Sequence, residues 1–334
     1  MVSLIKFHFG NLALLLLFAL PGATLPAQPA REPTATQIRP EVGNPIGLTA
    51  NPDKPKPARQ IQPPAFIPLP AKHSEYVDRV LLYWQQRTEK VELYRTNFQR
   101  WQFDTVYGPP QAFKTYSTGK IQFADPDKGM FKVEEILSYH APVNPQTKPT
   151  YKSIPGTHGE YWVCDGKSIF EYDYNNQRLI QQVLPTQLQG KNIIHGPLPF
   201  LFGAHAADIK QRFWVRAITS PNAKNEIWLE AYPKSIQDAG NYQRIHIIIS
   251  TEDFLPTGLV IFDRSYVKGK NHSRTVFNFK DREVNFASTW DKLNPFFRNF
   301  FEPVLPTGWK KVVYTAPPAQ AAEQQANQNP FTPR

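Results

Sequence analysis

The chain has 334 residues, a formal net charge of +10 and a single cysteine, Cys164. One cysteine excludes an intramolecular disulfide, so an ordinary hydrophobic core must hold the fold together. The 23 Phe, 14 Tyr and 7 Trp suffice for one domain of about 250 residues. Lys and Arg are dispersed, with no run of five or more, which argues against a nucleic-acid-binding arm. The basic excess fits either a solvated surface or attraction to an anionic envelope surface, lipid headgroups or acidic polymers.

Residues 1–27 have the order of an export signal. Lys6 and His8 precede the apolar run Leu12 to Leu20, and the small-residue stretch Pro21 to Ala27 follows. That run is shorter than the roughly 20 apolar residues of a membrane span, and no later run reaches that length. The expectation is a periplasmic or otherwise extracytoplasmic product, soluble after cleavage and without a transmembrane segment. Residues 28–72 hold eleven prolines between Pro29 and Pro70 and few aromatics, a composition that predicts a disordered, polyproline-rich tether. Residues 316–334, rich in Ala, Gln, Asn and Pro, predict a disordered tail.

The expected folded unit is 74–315. It opens with a helix capped by Ser74, because Val77, Val80, Leu81, Trp84, Val91, Tyr94, Phe98 and Trp101 recur at intervals of three, four and seven. After Asp104 the period becomes two. Ile121 and Phe123, Phe131 and Val133, Ile169, then Phe213, Val215 and Ala217, and Ile227, Leu229 and Ala231 predict strands. Further strands follow at Ile245, Ile247 and Ile249, at Leu259 and Ile261, and at Thr275, Phe277 and Phe279. Asp165-Gly166, Asn175-Asn176 and Lys268-Gly269 supply turns. Between the two groups of strands, His195 to Ala207 predicts a loop or short helix carrying Leu198, Phe200, Leu201 and Phe202. The fold class is α+β, built on a strongly curved antiparallel sheet.

The order of motifs resembles the periplasmic lipoprotein carrier family typified by LolA, and more closely an uncharacterised planctomycete domain family. The resemblance rests on Phe98 to Asp104, on Gly119-Lys120-Ile121-Gln122-Phe123-Ala124-Asp125-Pro126, and on Gly129-Met130-Phe131-Lys132-Val133-Glu134. It continues through the hairpin Cys164-Asp165-Gly166-Lys167-Ser168-Ile169-Phe170-Glu171-Tyr172-Asp173, then Gly196 to Gly203, then Phe254 to Leu259. It implies an incomplete β-barrel covered by helices and an apolar cavity that shelters a lipid or an acylated protein. The residues expected to line or close that cavity are Leu81, Trp84, Phe131, Phe200, Leu201 and Phe202. The same residues could instead fill the core of an envelope scaffold or interaction protein.

Catalytic signatures are weak. The histidines lack the three- or four-residue spacing of a helical metal pair, and His158-Gly159-Glu160 fits a polar loop better than a metal or base site. No Gly-x-Ser-x-Gly, Walker or dinucleotide glycine pattern is present. Cys164 fits a small buried strand residue, and Asp165, Glu171 and Asp173 fit a hairpin turn and exposed face. His246, alternating with isoleucines, fits a solvated strand face. Phe296, Phe297, Phe300 and Phe301 have helical spacing and fit packing against the sheet. The expectation is a non-enzymatic protein with no cofactor, metal or nucleic-acid partner. A hydrolase would require the fold to bring His158 or His195 to Cys164 or to a carboxylate.

Overall fold

The computed structural model describes residues 61–110, 112–141, 148–184, 186, 189, 205–220, 225–286 and 301–315. Helix α1 spans Ala71–Thr88. Its N-cap is Pro70 rather than Ser74, because the Pro70 carbonyl accepts the amides of both His73 and Ser74 and starts the helix four residues early. Proline supplies the extended entry without a donor of its own to satisfy. At the other end, Thr88 Oγ1 donates to the carbonyls of Trp84 and Gln85, and the chain leaves the helix there.

The helix does not continue to Trp101 as the periodicity suggests. Strand β1 spans Leu93–Phe103, and its main-core side carries Tyr94, Thr96, Phe98 and Arg100. Tyr94 and Phe98 are four apart, a spacing that fits one face of a helix and one face of a strand equally. The Tyr, Thr, Phe and Trp content of the segment decides for the strand.

The other strands are β2 (Thr115–Ala124), β3 (Lys128–His140), β4 (Thr150–Pro155), β5 (Tyr161–Asp165), β6 (Ser168–Asp173) and β7 (Arg178–Val183). After the short helix α2 (Ala206–Arg212) come β8 (Phe213–Ile218) and β9 (Glu226–Pro233). Helix α3 (Ile236–Asn241) leads to β10 (Arg244–Ser250), β11 (Pro256–Phe262), β12 (Arg274–Val284) and β13 (Lys310–Thr315). One 13-stranded sheet holds them in the order β13-β7-β6-β5-β3-β2-β1-β12-β11-β10-β9-β8, with β4 beside β3. Every pairing is antiparallel except β13 with β7. The order ends at β13 and β8 without closure, so the sheet is a curved, incomplete barrel.

The curvature has local causes. Register shifts at Arg95/Asn97, Thr118/Gly119 and Ile248/Ile249 mark bulges, which bend strands and increase their twist. At Gly119 the ring of Phe98 lies over the backbone, where a Cβ would collide with that ring and with the Lys132 carbonyl. Glycine therefore sets the close crossing of β1, β2 and β3.

The largest core cluster lies on one face of the sheet. It joins Val77, Val80, Leu81 and Trp84 of α1 to Phe98, Ile121, Phe131, Leu229, Ile247, Leu259 and Phe277 of the strands. A second cluster lies on the opposite face, where Phe301 covers Met130, Val163, Phe170, Tyr172 and Leu179. Phe301 therefore packs on the sheet as its spacing implied, while Phe296, Phe297 and Phe300 lie outside the described residues. Of the expected tether, residues 61–72 are described: Phe66 meets Tyr232 at 5.6 Å, Leu69 packs on the main core, and Ala71 and Lys72 already belong to α1.

Candidate functional site

The concave face is floored by aromatic rings drawn from four strands. Trp162 of β5 stacks on Phe131 of β3 at 5.5 Å, and Phe131 stacks on Phe98 of β1 at 4.8 Å. Phe98 meets Phe277 of β12 edge-on at 5.9 Å, and Phe277 lies 6.1 Å from Phe279. Strand alternation produces this row: Phe98 faces Phe279 across one register pair, and Phe131 faces Trp162 across another. Offset stacks and edge contacts of this kind contribute about 0.5–1.5 kcal/mol each beyond area burial.

Of the residues expected at the cavity, Leu81 and Trp84 on α1 and Phe131 on the floor converge in one cluster. Phe200, Leu201 and Phe202 lie outside the described residues. Trp84 is 0% exposed, and its indole N–H has no hydrogen-bond partner among the described residues. Leaving a buried donor unmatched costs about 1–3 kcal/mol, so this group marks a place where the interior lacks an acceptor.

Among the described residues one guanidinium is buried in this apolar floor, and no motif pointed to it. Arg100 is 3% exposed, with its Cζ 5.9 Å from the centroids of both Phe131 and Phe277. Its Nε donates to Ser117 Oγ at 2.9 Å, and its two terminal nitrogens donate to the Glu160 carboxylate at 2.9 and 2.7 Å. Burial alone would raise the Glu160 pKa, but the charge and hydrogen bonds of Arg100 outweigh it and hold the carboxyl below its ordinary value. Glu160 is therefore committed to Arg100, while its sequence neighbour His158 is exposed. The only signal for this pair was the strand parity that turns Arg100 inward with Phe98.

Other candidates resolve into structural roles. Cys164 is buried, and burial pushes its thiol up to about 12, which removes the thiolate a nucleophile needs. Asp165 Oδ1 accepts the amides of Lys167 and Ser168 and shapes the hairpin turn. Asp173 binds Arg178 and Asn176, and Glu171 is exposed.

His246 faces outward but is not solvated. Its Nε2 lies 3.1 Å from Glu230, with Phe262 and Trp228 at 4.6 and 6.1 Å. Burial would raise the Glu230 pKa, yet the hydrogen bonds of His246 and Arg216 lower it. Alternation places His246 on the outer face, but the large neighbouring rings and the ion pairs of Arg216 and Arg244 with Glu230 roof it over.

A groove of about 430 Å³ lies on the convex face, lined by Trp101, Phe103, Ala112, Phe113 and Val276. It lies across the sheet from the floor residues, because Trp101 and Phe103 have the opposite parity to Phe98 and Arg100 on β1. Among the described residues no helix is long and apolar enough to cross a membrane, and no group of three or more His, Cys, Asp or Glu is placed to hold a metal.

No protein-family model matches the sequence, and no curated protein matches it. Three solved structures give the scale of likeness. An uncharacterised conserved protein from Thermus thermophilus aligns over 72% of this chain and 99% of its own, at 9% identity and a TM-score of 0.40. A LolA superfamily protein from Nitrosomonas europaea aligns over 68% and 97%, at 10% identity and a TM-score of 0.31. The lipoprotein LppX from Mycobacterium tuberculosis aligns over 64% and 98%, at 8% identity and a TM-score of 0.34. LolA-superfamily and lipoprotein structures are thus among those this chain resembles, and the open curved sheet described above stands on its own strand order.

Proposed function

We infer that the protein is an exported, non-enzymatic carrier that shelters the acyl chain of a lipid or acylated molecule between α1 and the concave floor. The observation that carries this reading is the Trp84 N–H, unpartnered among the described residues, inside a largely apolar, aromatic interior. An ester or amide carbonyl at the head of an acyl chain supplies the missing acceptor, while the chain itself suits the row of Phe98, Phe131, Trp162 and Phe277. Leu81, Trp84 and Phe131 are the lining in this reading. Phe200, Leu201 and Phe202 are the closing residues on the strength of their Gly- and Pro-flanked sequence. The lipoprotein and LolA names of similar structures agree with the reading in kind.

Native mass spectrometry of protein purified from its own envelope, followed by organic extraction, tests it. A stoichiometric acyl species is expected, and the Phe200→Asp variant should carry less of it. A clean apo mass for folded wild-type protein contradicts the reading. The rival is a scaffold whose barrel is filled by its own side chains, and the near-zero exposure of Leu81 and Trp84 favours that rival. A filled interior gives the apo mass and no uptake of an added fatty acid.

A further inference from the structure

Two loops at one end of the sheet carry apolar side chains into solvent. The loop between β1 and β2 presents Val106 and Tyr107, 74% and 73% exposed, and the loop between β11 and β12 presents Val267, 50% exposed. Scattered exposed apolar residues need no explanation, but grouped ones do. These loops are grouped by covalent-like wiring through one residue. Thr105 Oγ1 bonds Asn271 Oδ1 at 3.0 Å and accepts the His272 amide at 2.9 Å, while the Thr105 amide donates to Ser273 Oγ at 3.1 Å.

Each tip is also held in shape. Asp104 Oδ1 accepts the amides of Val106 and Tyr107 at 2.9 and 3.0 Å, and Asp104 Oδ2 binds Lys114 at 2.9 Å. Burial would raise the Asp104 pKa, but these bonds lower it, so the turn keeps its charged cap. On the second loop, Asp263 Oδ1 accepts the Ser265 amide, and Val267 bridges to Asn271 across the turn. Val106 and Tyr107 are therefore displayed by a built turn and stay largely in solvent.

The chemistry around the tips is specific. Arg264, Lys268 and Lys270 stand exposed on the second loop, while the carboxylates of both loops are engaged in capping their turns. Lys114 lies over the Tyr107 ring at 5.0 Å, and Arg274 lies over Phe103 at 3.9 Å. Behind the tips lies the convex groove of Trp101, Phe103 and Phe113, with Tyr116 and Tyr151 against it at 5.3 and 4.4 Å. Trp and Tyr rings, apolar tips and exposed cations are what an anionic bilayer interface selects.

We propose that the paired loops 104–110 and 263–273 form a docking surface for an anionic lipid bilayer, with Val106, Tyr107 and Val267 entering the interfacial layer and Arg264, Lys268 and Lys270 meeting the headgroups. Charge complementarity selects this occupant over a second copy of the chain, whose net charge of +10 would be repelled. The groove behind the tips lies across the sheet from the concave floor in strand parity, and none of the docking residues belongs to that floor, so bilayer docking does not depend on a ligand in the interior.

The test is cosedimentation of the full chain with phosphatidylcholine vesicles, with or without phosphatidylglycerol, at low and raised salt. Wild type should bind the anionic vesicles in a salt-sensitive way and leave neutral ones in suspension. Neutralising two lysines in K268Q/K270Q should weaken partitioning roughly tenfold or more. V106S/Y107S should weaken it at both salt concentrations, and both variants should retain wild-type melting temperatures because the altered side chains are exposed. Unchanged vesicle binding by both variants, or no anionic-vesicle binding by wild type, overturns the proposal. So does a wild-type dimer in sedimentation velocity that V106S/Y107S dissociates, since the occupant would then be a second copy.

Discussion

Strand β1 buries Tyr94, Thr96, Phe98 and Arg100 on one face, Phe98 in the main core and Tyr94 beside Val91 and Leu255, and leaves Arg95, Asn97 and Gln99 on the other, whereas β6 buries side chains on both faces and exposes only Glu171. On β6, Ile169 packs with Cys164 and Leu184 on one side, while Phe170 and Tyr172 pack under Phe301 on the other. The difference follows from what crosses each face. Helix α1 and the concave floor cover one side of the sheet from β3 to β8, and the segment around Phe301 to Trp309 covers the convex side of β5 to β7. Tyr172 hydroxyl accepts the Val304 amide at 2.9 Å, so that cover is bonded as well as packed. Under the carrier proposal a ligand-sheltering surface is thereby confined to the concave side, and the β5–β7 end is braced from behind.

Several substitutions break or sharpen this contrast. Trp84→Ala removes the largest side chain between α1 and the floor and should cost about 3–5 kcal/mol in denaturant unfolding. Arg100→Met should cost a similar ~3–5 kcal/mol, because it strands the Glu160 carboxylate beside an apolar floor. The pair also has a pH signature. A carboxyl held below its unfolded value stabilises the fold fully above the ordinary carboxylate range, and that contribution disappears as pH falls through the folded value. Wild type should therefore lose stability on acidification more steeply than Glu160→Gln, measured as unfolding free energy against pH. Parallel pH curves would remove Glu160 from the account.

On the braced end, Phe301→Ala should cost about 3 kcal/mol, at the low end for a phenylalanine because the satellite cluster can relax. Acyl-probe uptake should be unaffected if the two faces are independent. Smaller still, Asp165→Ala removes the cap of the β5–β6 hairpin and should cost about 1 kcal/mol by thermal melting.

Much of the fold was legible in side-chain alternation. The isoleucines of β10, the Phe277 and Phe279 pair of β12 and the Asp165-Gly166 turn all fall where period two and turn chemistry place them. The helix boundary was not legible, since Tyr94 and Phe98 satisfy helical and strand spacing together and Pro70 competes with Ser74 for the cap. Cavity residues were legible only as apolar positions, because lining and filling demand the same side chains. Arg100 and Glu160 were hidden for another reason: they lie 60 residues apart, and only the register of β1, β2, β3 and β5 brings them together.

The most direct test of the carrier account is titration of delipidated protein with a fluorescent fatty acid, wild type beside Trp84→Phe. Trp84→Phe keeps the apolar bulk and deletes the orphaned N–H, so the ligand-free variant should be as stable as wild type or more so. The account predicts saturable one-to-one uptake by wild type and clearly weaker uptake by Trp84→Phe. No uptake by folded wild type, or equal affinity in the two proteins, would contradict the claim that the Trp84 N–H awaits a ligand acceptor.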